Sequence, residues 1–343
     1  MSNTSLLGSY GGLGNTGLMF RNKIINGNFG IWQRGTSQTD NGYGSDDRWL
    51  NQNVGSTKTH SRQAFALGQT EVPGNPEYFS RTVVSSVVGA SNIVRKIQKV
   101  EGVRTFAGQT ATLSFWARAD APKNMAIEFY QNFGTGGSPS APVTGIGVTT
   151  IALTTAWKYY TVTVDIPSIA GKTLGTDGNN MLEIFFYFDA GSNYNSRTNS
   201  LGQQSGTFDI AQVQLEAGPV ATPFEHRPYG LELSLCQRYY QQIFQARYRP
   251  IGLFRGSGST AEMNFMPFPV PMRAATTTTI SSTGITYWTA LNTSTRSTVS
   301  GSWTLQSNGS SWSIYTTGYT TNNGIVIIAD YADDLVFKVD AEL

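Results

Sequence analysis

Apolar and polar positions alternate with a period of two over many short runs of this chain. In 113–118, Leu113, Phe115 and Ala117 share one parity, and Ser114, Trp116 and Arg118 the other. In 125–131, Ile127 and Phe129 alternate with Glu128 and Tyr130. In 182–189, Ile184, Phe186 and Phe188 alternate with Glu183, Phe185, Tyr187 and Asp189. Such alternation predicts half-buried strands, because successive side chains of a strand point to opposite faces. The expected strands are Ile93–Val100, Ala111–Ala119, Met125–Asn132, Trp157–Ile166, Met181–Asp189 and Thr207–Leu215, with Gly, Pro, Asn and Ser clusters between them. No amphipathic helix of useful length falls between these strands, so a βαβ plan is not expected. The pattern predicts an all-β fold, a sandwich or barrel.

One stretch departs from this period. In 229–246, Leu231, Leu235, Tyr239 and Ile243 recur every fourth residue, with Pro228 before and Pro250 beyond. That spacing predicts a short linking helix over 229–249; Tyr239 and Tyr240 in a strand are the alternative. After Pro250 the β pattern resumes. Pro267, Pro269 and Pro271 mark an edge or extended segment, since proline cannot donate to a ladder. Thr276–Ile280, Ile325–Ile328 and the alternating Leu335, Phe337 and Val339 read as strands. The expected organisation is a Gly-rich arm over 1–21, a β-sandwich over 22–228, the linking helix, and a smaller β-rich domain over 250–343. The arm is either disordered or ordered against a partner subunit.

The chain has 343 residues, a length that suits two domains at roughly 100–200 residues each. Only 13% of residues are charged, 12% are aromatic, and the net charge is +2. No strongly basic run suggests nucleic-acid binding. No apolar run is long enough to span a membrane as a helix. The N-terminal 20 residues have neither a basic segment nor a continuous apolar core, so no secretory signal is expected there. One cysteine, Cys236, forms no intrachain disulfide, and two histidines with one cysteine do not make a structural zinc site. A polar, weakly charged chain suits neutral, hydroxyl-rich partners.

Motifs for catalysis are missing: no G-x-S-x-G, H-E-x-x-H or P-loop occurs. His60 and His226 read as surface or packing residues. Glu128 and Glu183 are the best-placed carboxylates for a hydrolytic pair, but a binding or structural role is expected and the chain is read as a non-enzyme. The alternating strands offer aromatics mixed with acids and arginine on one parity. Aromatic rings stack on the C–H face of a sugar, while carboxylates and guanidinium groups bond its hydroxyls. Trp116, Arg118, Glu128, Tyr130, Tyr187 and Asp189 are therefore the candidate glycan contacts. The alternative is that a second sheet, a helix or a neighbouring subunit covers that face. Trp32 and Trp49 read as core anchors. Trp288, Trp303 and Trp312, in Ser/Thr-rich surroundings, make the C-terminal domain a second candidate contact surface.

Several segments form an ordered series: NKIINGNFGIWQRG, SDDRW, TLSFWARA and TFDIAQVQLEAGPVATPFEHRPYGLELSLCQRYYQ. The series resembles the carbohydrate-binding-module-like domain of bacteriophage and prophage tail fibres. FPVPMRAA and the terminal VDAEL resemble the C-terminal module that often follows it, although Thr276 stands where that pattern usually has proline. The resemblance covers roughly residues 22–275 and the last few. It implies a jelly-roll sandwich, a fibre or adhesin role in the virion, homotrimeric assembly, and retention of the family's Gln214, Leu215 and Glu216. It also implies a structural calcium ion held by Asn26, Asn28 and Asp209. The expected function is host adsorption through cell-surface polysaccharide, with the arm docking to other virion proteins and assembly in the host cytoplasm. The alternative is a virion decoration, head-fibre or connector protein that makes protein contacts only.

Overall fold

The computed structural model describes residues 20–245 and, beyond them, 253–257, 260–274, 277–282, 285–289, 296–298, 301–307, 311–317, 325–330 and 335–343. The arm predicted over 1–21 lies, up to residue 19, outside the described residues. The chain divides into two compact units at Tyr229/Gly230.

The first unit is a sandwich of two antiparallel sheets. Its strands are β1 (Ser37–Gln38), β2 (Trp49–Val54), β3 (Thr57–Ala64), β4 (Tyr78–Ser85), β5 (Ile93–Glu101), β6 (Thr110–Ala119), β7 (Lys123–Asn132), β8 (Val143–Leu153), β9 (Lys158–Asp165), β10 (Met181–Ala190) and β11 (Gly206–Ala217). One sheet has the order β1-β3-β4-β11-β6-β9, the other β2-β5-β10-β7-β8. The chain crosses repeatedly from one sheet to the other, which makes the sandwich jelly-roll-like. Each parity predicted to be apolar faces inward. Leu113, Phe115, Ile127, Phe129, Ile184, Phe186, Phe188, Phe208 and Ile210 form one continuous core between the sheets. Trp49 is fully buried there, stacked on Phe29 at 5.2 Å and edge-on to Phe186 at 5.9 Å, and Trp32 packs against the same core.

The interior also holds polar groups. The Lys96 ammonium pairs with Asp46, which also accepts from Ser45, Asn51 and Ser80. His60 is completely buried, its Nδ1 at 2.7 Å from the Thr82 hydroxyl. Burial, then the neighbouring Lys96 and Lys58, holds the imidazole well below its ordinary pKa, so it is neutral.

The motif residues at the two ends of this unit fasten it together. The N-terminal segment runs along β11: Lys23 N–H donates to Leu215 O, Val213 N–H to Gly27 O, and Asn22 Oδ1 accepts from Leu215 N–H. A Cβ on Gly27 would lie 2.1 Å from Val213 O, so this close approach requires glycine. Gln214 and Glu216 turn the following segment back onto the sheet. Glu216 accepts from the Thr222 N–H and hydroxyl, and Gln214 Oε1 accepts from Glu225 N–H. The QLE motif is thus structural.

The second unit opens with a helix, Tyr229–Gln237, which is shorter than the stretch predicted. Tyr240–Gln245 leaves the helical path and pairs antiparallel with Leu335–Asp340. The strand alternative for Tyr240 is the one realised, as β-favouring aromatic and β-branched residues there would suggest. An eight-stranded antiparallel sheet completes the unit. Trp288, Trp303 and Trp312 sit on its strands Ile285–Thr289, Gly301–Ser307 and Ser311–Thr317. The FPVPMRAA and VDAEL segments meet: Arg273 N–H donates to Arg238 O, Arg273 Nε to Ala341 O at 2.7 Å, and Ala341 N–H to Tyr239 O. Among the described residues no helix is long and apolar enough to cross a membrane.

Candidate functional site

The residues proposed as one glycan-binding face fall on two. Strand β6 belongs to the six-stranded sheet, whereas β7 and β10 belong to the five-stranded one. Trp116 and Arg118 therefore lie on one outer surface of the sandwich, and Glu128, Tyr130 and Tyr187 on the opposite surface. Alternation assigns a parity to each strand, but it does not say which sheet the strand joins.

On the five-stranded sheet the polar groups are closed among themselves. Glu128 is fully buried. It accepts from Arg197 Nε and Nη2 at 2.7 and 2.8 Å, from the Tyr187 hydroxyl at 2.8 Å and from Gly145 N–H at 2.8 Å. Arg197 comes from a four-residue helix, Asn195–Thr198, and its guanidinium sits 5.4 Å from the Phe185 ring and 5.6 Å from that of Tyr130. Burial is the largest influence on Arg197 and lowers its pKa, but the bond to Glu128 and the attraction of Tyr187, Glu128 and Tyr130 together outweigh it, so the net direction is upward. Burial likewise pushes the Tyr187 phenol well up. Arg95 stacks on Phe185 at 4.7 Å and donates to Gln52 and to the Tyr187 hydroxyl. Phe185 and Tyr187 are sealed beneath these guanidinium groups, with Tyr194 and Leu201 packed alongside. Glu183 accepts from Asn132 at 3.2 Å. Of the four predicted contacts on this sheet, Glu128, Tyr130, Tyr187 and Asp189, only Tyr130 is even partly exposed. Asp189 is buried at the end of β10, where its oxygens accept from Ser56, Ser86 and Gln204 N–H, so it ties loops together rather than facing a ligand.

The six-stranded sheet is more open. Its register sets Arg81, Asp209 and Arg118 side by side on β4, β11 and β6. Two residues along, Ala211, Trp116 and Tyr159 form the next row. Arg81 Nε and Nη2 donate to the two Asp209 oxygens at 2.8 Å each, and Arg118 Nε donates to Oδ2 at 2.9 Å. The Asp209 side chain is buried, while those of Arg81 and Arg118 remain 31% and 28% exposed. The bond to Asp209 raises the Arg81 pKa. Arg118 lies over the Trp157 ring at 4.8 Å, and both guanidinium groups lie 5.6 Å from Phe79. Phe65, Val72, Phe79 and Trp157 pack beneath as a second small cluster. Trp116 is half-buried, and Tyr159, 5.5 Å from it between ring centroids, is 39% exposed. Two partly open rings thus adjoin two guanidinium groups fixed by one carboxylate.

Sequence reasoning missed Arg81 and Tyr159. Tyr159 lies in a predicted strand, and Arg81 carries no local signal. Their juxtaposition with Trp116 and Asp209 depends on pairing between distant strands.

The oxygens named for calcium are already engaged. Asn26 Oδ1 accepts from Ile31 N–H, Asn28 Oδ1 from Gly30 N–H, and the Asp209 carboxylate is held by the two arginines. Asp209 therefore supplies no free charge to a cation, and the set does not fit a calcium site. Among the described residues no group of three or more His, Cys, Asp or Glu is placed to hold a metal ion.

No family model and no curated protein matches this chain. Among solved structures, the chain is similar to a CBM4 structure, with 15% identity and a TM-score of 0.32 over 57% of this chain and 99% of that one. It is similar to the family 11 carbohydrate-binding module from Clostridium thermocellum solved with a β-1,3-1,4-mixed-linked tetrasaccharide, with 12% identity and a TM-score of 0.32 over 55% and 98%. It is also similar to the enzymatically active domain of bacteriophage CBA120 tailspike protein 4, with 12% identity and a TM-score of 0.32, over 58% of this chain but only 22% of that one.

Proposed function

We propose that this chain is a bacteriophage tail-fibre or receptor-binding protein that adsorbs to host cell-surface polysaccharide through the outer face of the six-stranded sheet. The observation that carries this reading is the open Trp116–Tyr159 pair beside the Arg81–Asp209–Arg118 cluster. The rings offer a stacking surface for the C–H face of a sugar, and the fixed guanidinium groups offer donors to its oxygens. The reading is one of binding, supported by the engagement of both oxygens of Glu128, the carboxylate best placed for a hydrolytic role, with Arg197. In the virion it assembles as a homotrimer, with the N-terminal arm docked to tail or adaptor proteins. Weak contacts at each subunit then multiply, with a gain of roughly 10²–10⁴ in avidity. The sealed polar network of the five-stranded sheet favours a second reading, a structural decoration or connector protein with protein contacts only.

The test is binding of the purified chain to host cells and to a glycan array. Trp116→Ala and Tyr159→Ala are expected to weaken binding at least about tenfold while leaving the fold intact. Firm binding to a virion protein, with none to cells or glycans, selects the structural reading.

A further inference from the structure

We infer that the polysaccharide recognised at this face is acidic, with the carboxylate of a sugar residue seated at Arg81 and Arg118. This rests on the glycan reading above and adds the class of sugar. The charge count carries it. Two guanidinium groups share one carboxylate, so the cluster holds one positive charge that no group among the described residues neutralises. Its geometry leaves donors pointing away from Asp209. Arg81 uses Nε and Nη2, and Arg118 uses only Nε. Arg81 Nη1 and both Arg118 Nη atoms have no hydrogen-bond partner among the described residues.

A neutral sugar needs no such surplus. Its hydroxyls are served equally well by amides, and a carboxylate on the protein side would supply acceptors. Here the only carboxylate of the cluster is buried with both oxygens engaged, so the exposed chemistry is donor-only and cationic. The donors are also held in place. Asp209 grips both groups from the strand between them, and Phe79 and Trp157 support them from one side. A guanidinium fixed in this way loses little freedom on meeting a planar carboxylate. The ring row lies two residues along the strands from the arginine row, roughly 7 Å. The carboxyl carbon of a pyranuronate is bonded directly to the ring, so its oxygens project from the ring edge toward the arginine row, and a charge-assisted hydrogen bond of about 2.8 Å spans the rest of that offset. Such a residue would lay its ring on Trp116 and place its acid group at Arg118 and Arg81.

The experiment uses the full chain and a glycan array with matched pairs of oligosaccharides, in which each uronate oligomer is printed beside its neutral hexose counterpart. Positive spots are then titrated by calorimetry at low and high NaCl. The expected result is a preference of about tenfold or more for the carboxylate member, weakening with salt. Arg118→Gln should remove the preference, whereas Trp116→Ala should weaken both members of a pair. Arg118→Lys and Arg81→Lys keep the charge opposite Asp209 and guard against misfolding; they should reduce the preference without abolishing it. Equal binding of both members, insensitive to salt and to Arg118→Gln, overturns the acidic-sugar inference and leaves glycan binding standing. Binding to no glycan at all overturns both.

Discussion

Glu128 provides the sharpest test of which face serves a ligand. Four donors converge on its buried carboxylate: Arg197 twice, the Tyr187 hydroxyl and Gly145 N–H, all between 2.7 and 2.8 Å. Glu128→Gln preserves shape but removes the charge and turns an NH2 group toward one pair of these donors. Breaking a fully buried ion pair costs about 3–5 kcal/mol. Arg197 keeps a 23% exposed side chain and can recover some hydration, so about 2–4 kcal/mol is expected here. The assay is urea unfolding of the full chain followed by tryptophan fluorescence, with Arg197→Gln and the double variant closing the cycle. The coupling should be about 2 kcal/mol, well above the ~0.5 kcal/mol of an exposed pair. Glycan binding by the folded Glu128→Gln protein should be unchanged. An unaltered unfolding midpoint together with lost glycan binding would refute the argument and move the site to the five-stranded sheet.

Other outcomes follow from the interior and the turns. His60 is held neutral, below its ordinary value of 6.5, so as pH falls the unfolded chain takes up the proton first. The sandwich should lose stability below pH ~6.5 by up to about 1.4 kcal/mol per pH unit, and His60→Gln should flatten that slope in urea titrations. Burial, followed by Lys96, brings Lys58 down to about 8 from 10.5. The unfolded chain therefore binds the extra proton between those values, and stability should rise with pH across that window; Lys58→Met should reduce the rise, leaving the part due to Lys96, whose burial also lowers its pKa. Gly27→Ala should sharply lower the sandwich's thermal midpoint, because its Cβ would meet Val213 O at 2.1 Å; an unchanged midpoint would show that the N-terminal segment can detach freely. Cys236 is buried in the helix of the second unit, so a thiol reagent should label it only as that unit opens, with a rate that tracks its unfolding and not that of the sandwich.

The period-two pattern of this chain was enough, alone, to indicate β structure and the inward parity of the strands over 113–118, 125–131 and 182–189, because a strand's two faces are set by the backbone itself. Phe115, Phe129 and Phe186 are core residues for that local reason. Resemblance also picked out segments that prove to be fastenings, such as Gln214 with Glu216 and Arg273 with the C-terminal strand. The outward parity was a different matter. Trp116 and Tyr130 look equivalent along the sequence, yet one lies on an open face and the other beside a sealed one. That difference comes from pairings between distant strands and from Arg197, which a short helix places over Glu128. Likewise Asp209 looked like a free carboxylate until Arg81, 128 positions away, closed on it. Burial parity is local and so can be read from a single strand. Which polar side chains satisfy one another depends on which strands meet, and only the tertiary structure decides that.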